Sequence, residues 1–206
     1  MSNVPLTSDK PELVIIAGPN GSGKTTTTKE LLCHFWTEHC LYINPDNIAQ
    51  NEFGNWDSPQ ASLKAAQKAE ALREEGLAQR RSLVFETVFS APDKIEFVRK
   101  AKHLDYFIRL FFICTDSPLI NVNRISRRRL KGGHDVPPAK ILSRYSKSIA
   151  NCTVAVKLVD RAYIYDNSVD NADPVLLFRT ENGALKKVYR TPVNDWAKPI
   201  FAQVNK

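Results

Sequence analysis

A glycine-rich segment near the amino terminus has the spacing of a phosphate-binding loop. Residues 18–25 read GPNGSGKT and match the pattern G-x-x-x-x-G-K-[ST] at every fixed position. Glycines let successive backbone N–H groups turn toward one phosphate, and the N-terminus of a following helix adds positive charge. In this pattern the lysine reaches the β- and γ-phosphates and the hydroxyl binds Mg²⁺. We therefore predict ATP and Mg²⁺ as cofactors, with Thr25 as the Mg²⁺ ligand and with ATP bound by Gly18, Pro19, Asn20, Gly21, Ser22, Gly23, Lys24, Thr25 and Thr26.

An acidic residue follows the second apolar run of the chain. Asp46 ends the sequence INPD, directly after a short predicted strand. In a parallel sheet, ligands bind beyond the carboxyl ends of the strands, and a carboxylate there can accept the proton of an attacking hydroxyl. Asp46 could equally begin a helix as its N-cap residue. The residues alone leave the catalytic base and the helix cap as alternatives.

Polar residues also follow the third predicted strand, in the sequence FETVFS. Glu86, Thr87 and Ser90 lie where the carboxyl end of that strand meets the predicted ligand site. We predict that they bind the substrate, and coordination of Mg²⁺ is a second possible role for the first two. A polar turn at the end of a strand is the alternative without function.

The positive charge of the chain is concentrated in one segment. The net charge is +7, and residues 121–147 contain eight basic residues and one acidic residue, Asp135. Arg124 and Arg128 share one face of a predicted helix, and arginine stabilises phosphoryl oxygens with its planar fork. We predict Arg124 and Arg128 as catalytic residues on a mobile lid, and Lys24 of the phosphate loop as a further catalytic residue. For Arg127 and Arg129 a solvated basic face is favoured, and for His134 a place in a turn.

The predicted elements place these residues along one edge of a sheet. Apolar runs predict strands at 13–17, 41–43, 83–85, 106–114, 161–165 and 175–178. Helices are predicted at 24–36, 59–80, 92–102, 117–131, 138–153 and around residue 196. This alternation predicts an α/β fold of the P-loop kinase type, with a parallel sheet covered by helices on both faces. We predict a single domain over residues 1–206, with a helical, arginine-bearing lid at about 117–150.

Composition excludes several other classes of protein. No apolar run approaches the roughly 20 residues that a membrane helix needs, and the first ten residues have no apolar signal region. The four cysteines, at positions 33, 40, 114 and 152, lack metal-ligand spacing and are typical of reduced, buried thiols. We therefore expect a cytoplasmic location.

Together these motifs resemble the zeta-toxin family of P-loop kinases, in particular its short bacterial branch. The matching segments are GPNGSGKTT (18–26), NPD (44–46), ETVFS (86–90), RRLKGGHDVP (128–137), ILSRYSKSIAN (141–151) and YDNS (165–168). The resemblance implies a kinase that phosphorylates a hydroxyl of UDP-N-acetylglucosamine with ATP and Mg²⁺, and it implies a possible antitoxin partner. It also implies that Asp46 is the general base, that Glu86 and Thr87 lie on the substrate side, and that Arg124 and Arg128 are lid arginines.

Two other functions remain compatible with the residues. The basic segment would suit a polynucleotide 5′-hydroxyl kinase, because phosphate contacts dominate nucleic-acid binding. We expect no nucleic-acid partner, since no aromatic stacking pattern accompanies the arginines. A regulatory ATP-binding module that acts through a protein partner is the third alternative.

Overall fold

The computed structural model describes residues 10–31, 37, 39–53, 58–130, 132–133 and 135–205, with residues 29–31 described by their backbone alone. Seven strands in these residues form one sheet, in the spatial order β2-β3-β1-β4-β5-β6-β7. The strands are β1 (Glu12–Ala17), β2 (Leu41–Ile43), β3 (Leu83–Thr87), β4 (Phe107–Cys114), β5 (Arg161–Asp166), β6 (Val175–Glu181) and β7 (Ala184–Val188).

Seven α-helices connect and cover these strands in the described part of the chain. They are α1 (Lys24–Leu31), α2 (Pro45–Phe53), α3 (Pro59–Ala78), α4 (Asp93–His103), α5 (Pro118–Leu130), α6 (Pro138–Ala155) and α7 (Lys198–Val204), the last preceded by a 3₁₀ turn at Asp195–Ala197. The helix predicted at 24–36 is confirmed as far as Leu31, and residues 32–36 lie outside the described residues. None of the described helices is long and apolar enough to cross a membrane.

The sheet is mixed, although the predicted parallel arrangement holds for its first five strands. Strands β1 to β5 pair in parallel, whereas β6 pairs antiparallel with β5 and with β7. A two-residue turn joins β6 to β7, and both of its residues have positive φ, 51° at Asn182 and 73° at Gly183. An Asn-Gly pair favours this hairpin turn. Strand β7 is a difference from the predicted elements, although Asn182-Gly183 is a local signal for a hairpin at this position.

Strand β1 lies in the middle of the five parallel strands and is buried on both faces. Leu13 and Ile15 belong to a large apolar cluster shared with helices α3, α4, α6 and α7. Val14 and Ile16 belong to a smaller cluster on the opposite face, with residues of β3 and β4. A strand buried on both faces reads as a continuous apolar run, which explains why β1 is clear in the sequence.

Two helices begin at side-chain caps that set the entrance to the site. The Ser58 hydroxyl accepts a hydrogen bond from the backbone N–H of Ala61 at 3.0 Å, as predicted for the start of α3. At the start of α2 the capping residue is Asn44, whose Oδ1 accepts from the N–H groups of Asp46 (2.9 Å) and Asn47 (3.4 Å). The expectation that Asp46 itself could be the N-cap is therefore wrong, because the preceding asparagine already fills that position.

Candidate active site

The phosphate loop connects the end of β1 to the start of α1. A Cβ atom on Gly18 would lie 2.0 Å from the carbonyl oxygen of Ile113 on β4, so only glycine fits this close approach. The N–H of Gly18 also donates to the carbonyl of Thr87 at the end of β3, at 3.3 Å. The loop is thus fixed between the two strands that flank β1.

Lys24 lies against the backbone of this loop. Its ammonium Nζ donates to the carbonyl oxygens of Gly18 (2.8 Å) and Pro19 (3.0 Å). Burial lowers the pKa of Lys24 from its ordinary value of 10.5 to about 8, although the nearby carboxylates of Glu86 and Asp46 oppose this shift. A bound phosphate would strongly stabilise this desolvated ammonium, because its two acceptors are neutral carbonyls and the phosphate supplies negative charge.

Glu86 lies on the phosphate side of the site, next to the hydroxyl predicted to bind Mg²⁺. The Thr25 hydroxyl donates to Glu86 Oε2 at 3.2 Å, and the Tyr42 hydroxyl donates to Oε1 at 2.7 Å. Glu86 is only 6% exposed and lies on the strand adjacent to β1. A hydroxyl and a carboxylate so close together are the hard oxygen ligands that Mg²⁺ takes in P-loop enzymes. Of its two predicted roles, the geometry therefore favours metal binding for Glu86.

Mg²⁺ bound here would have few protein ligands. The described residues contain no group of three or more His, Cys, Asp or Glu side chains that could hold a metal ion. This agrees with the usual chemistry of Mg²⁺ in such enzymes, where water and substrate phosphates complete the coordination.

Asp46 is the second residue of α2 and its side chain is exposed at the mouth of the same cavity. Its carboxylate is close enough to oppose the lowering of the Lys24 pKa. Because Asn44 caps the helix, the Asp46 carboxylate is not needed as an acceptor for the first N–H groups of α2. This geometry provides a carboxylate that can contact an acceptor molecule in the cavity.

The remaining residues predicted on the substrate side differ in position. Thr87 lines the cavity, and its Oγ1 accepts from the N–H of Phe89 at 3.1 Å. Ser90 does not line the cavity, so the structure does not bring it together with the other predicted substrate residues. Helix α6 contacts the loop that follows β3. The Ser148 hydroxyl donates to the Val88 carbonyl at 2.5 Å, and Asn151 Nδ2 donates to the Phe89 carbonyl at 2.9 Å.

The basic segment forms two packed helices, α5 and α6, over the opening of the site. Arg124 lines the cavity and is held by Asp170 Oδ1 and by the Asn167 carbonyl, both at 2.8 Å. Arg128 also lines the cavity. The side chains of Arg127 and Arg129, in contrast, are 69% and 67% exposed and pair with Asp170 and Asp135 respectively. Arg124 and Arg128 thus lie on the cavity side of α5, and Arg127 and Arg129 lie on its solvent side. Lys131 and His134 lie outside the described residues.

Three cavity or loop residues were not predicted as part of the site. Lys140 and Arg144 on α6 line the cavity, and Arg144 Nη1 donates to Asn20 Oδ1 of the phosphate loop at 3.3 Å. Asn167 Nδ2 donates to the Ser22 carbonyl of the same loop at 2.8 Å. The segments ILSRYSKSIAN and YDNS contain Arg144 and Asn167, so the signal was present although no role was assigned.

These residues enclose one cavity of about 860 Å³, which is large enough for more than one small molecule. The phosphate loop forms one wall, the first turns of α2 and α3 form another, and the lid helices form the third. Five basic side chains line the cavity, against three acidic ones: Lys24, Arg124, Arg128, Lys140 and Arg144 against Asp46, Glu86 and Asp135.

A phosphate loop after the middle one of five parallel strands, a carboxylate on the neighbouring strand and a basic helical lid define a P-loop kinase. A family profile described as "Zeta toxin" matches residues 2–182. That match covers most of the chain, so the chain belongs to the zeta-toxin family. The predicted resemblance to this family is therefore confirmed.

Solved structures with the same fold share little sequence with this chain. A structure described as the PezAT chromosomal toxin–antitoxin system of Streptococcus pneumoniae has a TM-score of 0.62 at 17% identity, covering 98% of this chain and 81% of that one. The complex AvrRxo1-ORF1:-ORF2 with ATP has a TM-score of 0.64 at 16% identity, covering 96% of this chain. A chain of the Pnkp1/Rnl/Hen1 RNA repair complex has a TM-score of 0.51 at 18% identity, covering 73% of this chain and 48% of that one.

The comparisons also limit what is transferred to this chain. This chain spans 64% of the AvrRxo1 chain that it matches. No curated protein matches this chain. At these identities the solved structures support the fold, and the substrate must be argued from the site.

Proposed function

We propose that the protein transfers the γ-phosphate of ATP to a hydroxyl of a UDP-activated sugar such as UDP-N-acetylglucosamine. The observation that carries the proposal is the placement of Asp46 and Lys24 at the same cavity, one on the acceptor side and one in the phosphate loop. A kinase needs this pair of functions, because one group must handle the acceptor proton and another must hold the phosphates.

The proposed transfer assigns one task to each group. The Asp46 carboxylate accepts the proton of the acceptor hydroxyl while that oxygen bonds to the γ-phosphorus. The bond from the γ-phosphorus to the bridging oxygen breaks, and ADP leaves with the electron pair. Lys24, Arg124 and Arg128 stabilise the negative charge on the transferring and leaving oxygens. Thr25 and Glu86 would hold Mg²⁺, which neutralises charge on the β- and γ-phosphates when bound.

The charge of the cavity supports an acceptor that is itself anionic. In the proposed transfer, Lys24, Arg124 and Arg128 serve the phosphates of ATP. Lys140 and Arg144 on α6 add two positive charges to the same cavity. A diphosphate in the acceptor, as in a nucleotide sugar, would provide the matching negative charge.

Incubation with labelled ATP, Mg²⁺ and a panel of acceptors tests this proposal. The panel contains UDP-N-acetylglucosamine, UDP-glucose, free N-acetylglucosamine, uridine and a 5′-hydroxyl oligonucleotide. We expect label on the UDP-sugars and little on the free sugar, because the free sugar lacks the diphosphate. Label on the oligonucleotide alone would support a polynucleotide kinase instead. ATP binding without transfer to any acceptor would support the regulatory module.

We also propose that the protein acts as the toxin of a toxin–antitoxin pair. Membership of the zeta-toxin family supports this role. Induced expression in a bacterial host tests it, with Lys24→Ala as the inactive control. Growth arrest by the wild type and normal growth with the variant are expected, and equal growth of both cultures would contradict a toxic activity.

A further inference from the structure

A line of side-chain hydrogen bonds connects the phosphate loop to the start of α2. It runs from Thr25 to Glu86 (3.2 Å), from Glu86 to Tyr42 (2.7 Å) and from Tyr42 to Asn44 (2.9 Å). Asn44 in turn accepts from the backbone N–H of Asp46 at 2.9 Å. The carboxylate of Glu86 is thus joined to the backbone of Asp46, in the first turn of α2, through two residues that do no chemistry themselves.

We propose that Tyr42 and Asn44 are positioning residues that fix Glu86 relative to the helix turn bearing Asp46. This inference rests on the proposed function, in which Glu86 serves the metal side and Asp46 serves the acceptor side. Nothing in the phosphate-loop pattern requires either residue, so the assignment comes from the contacts alone.

The Asn44 amide can be oriented in only one way. Its Oδ1 faces two backbone donors, the N–H groups of Asp46 (2.9 Å) and Asn47 (3.4 Å), so Nδ2 must face Tyr42. The side chain is also buried, with 6% of the residue exposed. Serine and aspartate cap helices as well as asparagine does, but neither has an amide N–H to donate. The bond to Tyr42 therefore explains why asparagine is used here.

The Tyr42 hydroxyl is held as a donor toward Glu86. It accepts from Asn44 Nδ2 and has a single hydrogen, which it gives to Glu86 Oε1. The Glu86 carboxylate thus accepts one hydrogen bond from Tyr42 and one from Thr25.

Sheet geometry places the side chains of Tyr42 and Glu86 on one face of the sheet. Tyr42 on the edge strand β2 is opposite Val84 in the parallel register, and Glu86 is two residues further along β3. Side chains two residues apart in a strand point to the same face. Strand β2 has three residues and pairs with β3 alone in the described sheet. The Tyr42–Glu86 bond therefore anchors the carboxyl end of a short edge strand, from which α2 and Asp46 follow directly.

The variant Tyr42→Phe tests the link by removing one hydroxyl. We expect kcat to fall by about 10- to 100-fold, the usual loss when a group supporting a metal ligand is removed. The Mg²⁺ concentration for half-maximal ATP binding should rise by about tenfold on the same basis. Asn44→Ser keeps the helix cap but loses the donor to Tyr42, so it should change both quantities in the same direction.

Tyr106→Phe is the matched control. The Tyr106 hydroxyl donates to the carbonyls of Gly76 (3.2 Å) and Arg81 (3.0 Å), at the end of the sheet away from the cavity. Its loss should lower the free energy of unfolding but leave kcat and the Mg²⁺ dependence unchanged. If Tyr42→Phe behaves like this control, with only stability reduced, the positioning role is wrong.

Two further measurements separate this inference from the proposed function. In the double variant Tyr42→Phe/Asn44→Ser the losses in kcat should be less than multiplicative, because both changes break one link. Fully multiplicative losses would contradict a shared link. If the wild type phosphorylates no acceptor, the proposed function fails. The Mg²⁺ dependence of ATP binding still tests the link, since it requires no acceptor.

Discussion

Asn167 Nδ2 donates a hydrogen bond to the carbonyl oxygen of Ser22 at 2.8 Å, and so joins the loop after β5 to the phosphate loop. The two segments are 145 residues apart in the chain. A Cβ atom on Gly23, where φ is 93°, would lie 2.1 Å from the same Nδ2. The phosphate loop is therefore shaped by a residue outside its motif, and the asparagine of YDNS acquires a physical role.

Asn167→Ala should weaken ATP binding. The loss of one hydrogen bond to a partly buried carbonyl costs about 1 kcal/mol, which corresponds to roughly fivefold in the dissociation constant. Titration calorimetry of ATP in the presence of Mg²⁺ measures this change. Asn123→Ala, an exposed asparagine on α5, is the control and should bind ATP as the wild type does. Equal affinity of the two variants would show that Asn167 does not support the phosphate loop.

Asp46→Asn should remove phosphoryl transfer and preserve nucleotide binding. A general base contributes about 10²- to 10⁴-fold, and an amide cannot take the proton. Because the proposed role of Asp46 is to contact the acceptor, the dissociation constant for ATP should change little. Steady-state kinetics with the preferred acceptor gives kcat, and calorimetry gives the ATP affinity.

The control for Asp46→Asn lies on the same helix. Glu52→Gln removes a carboxylate that pairs with Lys68 on α3, away from the cavity lining. Its kcat should remain close to that of the wild type. Full activity in Asp46→Asn would remove the general-base assignment and leave acceptor positioning as the role of α2.

The two faces of α5 give a matched pair of arginine variants. Arg128 lines the cavity, whereas the Arg127 side chain is 69% exposed and pairs with Asp170. Arg128→Ala should lower kcat by about 10²-fold, the loss typical for one donor to transition-state charge. Arg127→Ala should change kcat less than about threefold, because exposed ion pairs contribute little. Similar kcat losses in both variants would indicate a general electrostatic effect of the basic segment.

Much of the site could be predicted because its motifs are local. The phosphate loop has a fixed pattern between an apolar strand and a helix, Glu86 lies near the carboxyl end of β3, and Asp46 lies shortly after the end of β2. These features need only the neighbouring residues. The same holds for the Ser58 cap of α3.

Contacts between distant segments could not be predicted in this way. For the C-terminal residues only a helix around residue 196 is predicted, yet the Trp196 indole Nε1 donates to Asp166 Oδ1 at 3.2 Å, and Asn194 Nδ2 donates to Asp116 Oδ1 at 2.7 Å. Both bonds fix loops next to the site, and both depend on the packing of the whole sheet. The role of Asn44 as cap was missed for a local reason, since the acidic residue two positions later is also a good cap.

Nucleotide binding should become weaker as the pH rises above about 8. The pKa of Lys24 in the nucleotide-free protein is about 8, below its ordinary value of 10.5, because burial disfavours the ammonium. ATP brings negative charge to the ammonium and raises this pKa, so the complex holds a proton that the free protein has lost. Affinity is therefore highest below pH 8 and falls above it, by at most about tenfold per pH unit.

Calorimetry in buffers with different ionisation enthalpies measures the protons taken up when ATP binds. At pH 8 we expect about half a proton per site, because Lys24 is half protonated before ATP arrives. Lys24→Arg is the control, since arginine keeps its charge through this range and should show no uptake, even where its affinity is lower. The terminal phosphate of ATP does not interfere, because its last pKa lies near 6 to 7. Proton uptake that persists in Lys24→Arg would assign the titration to another group, and no uptake in the wild type would mean that Lys24 is fully charged before ATP binds.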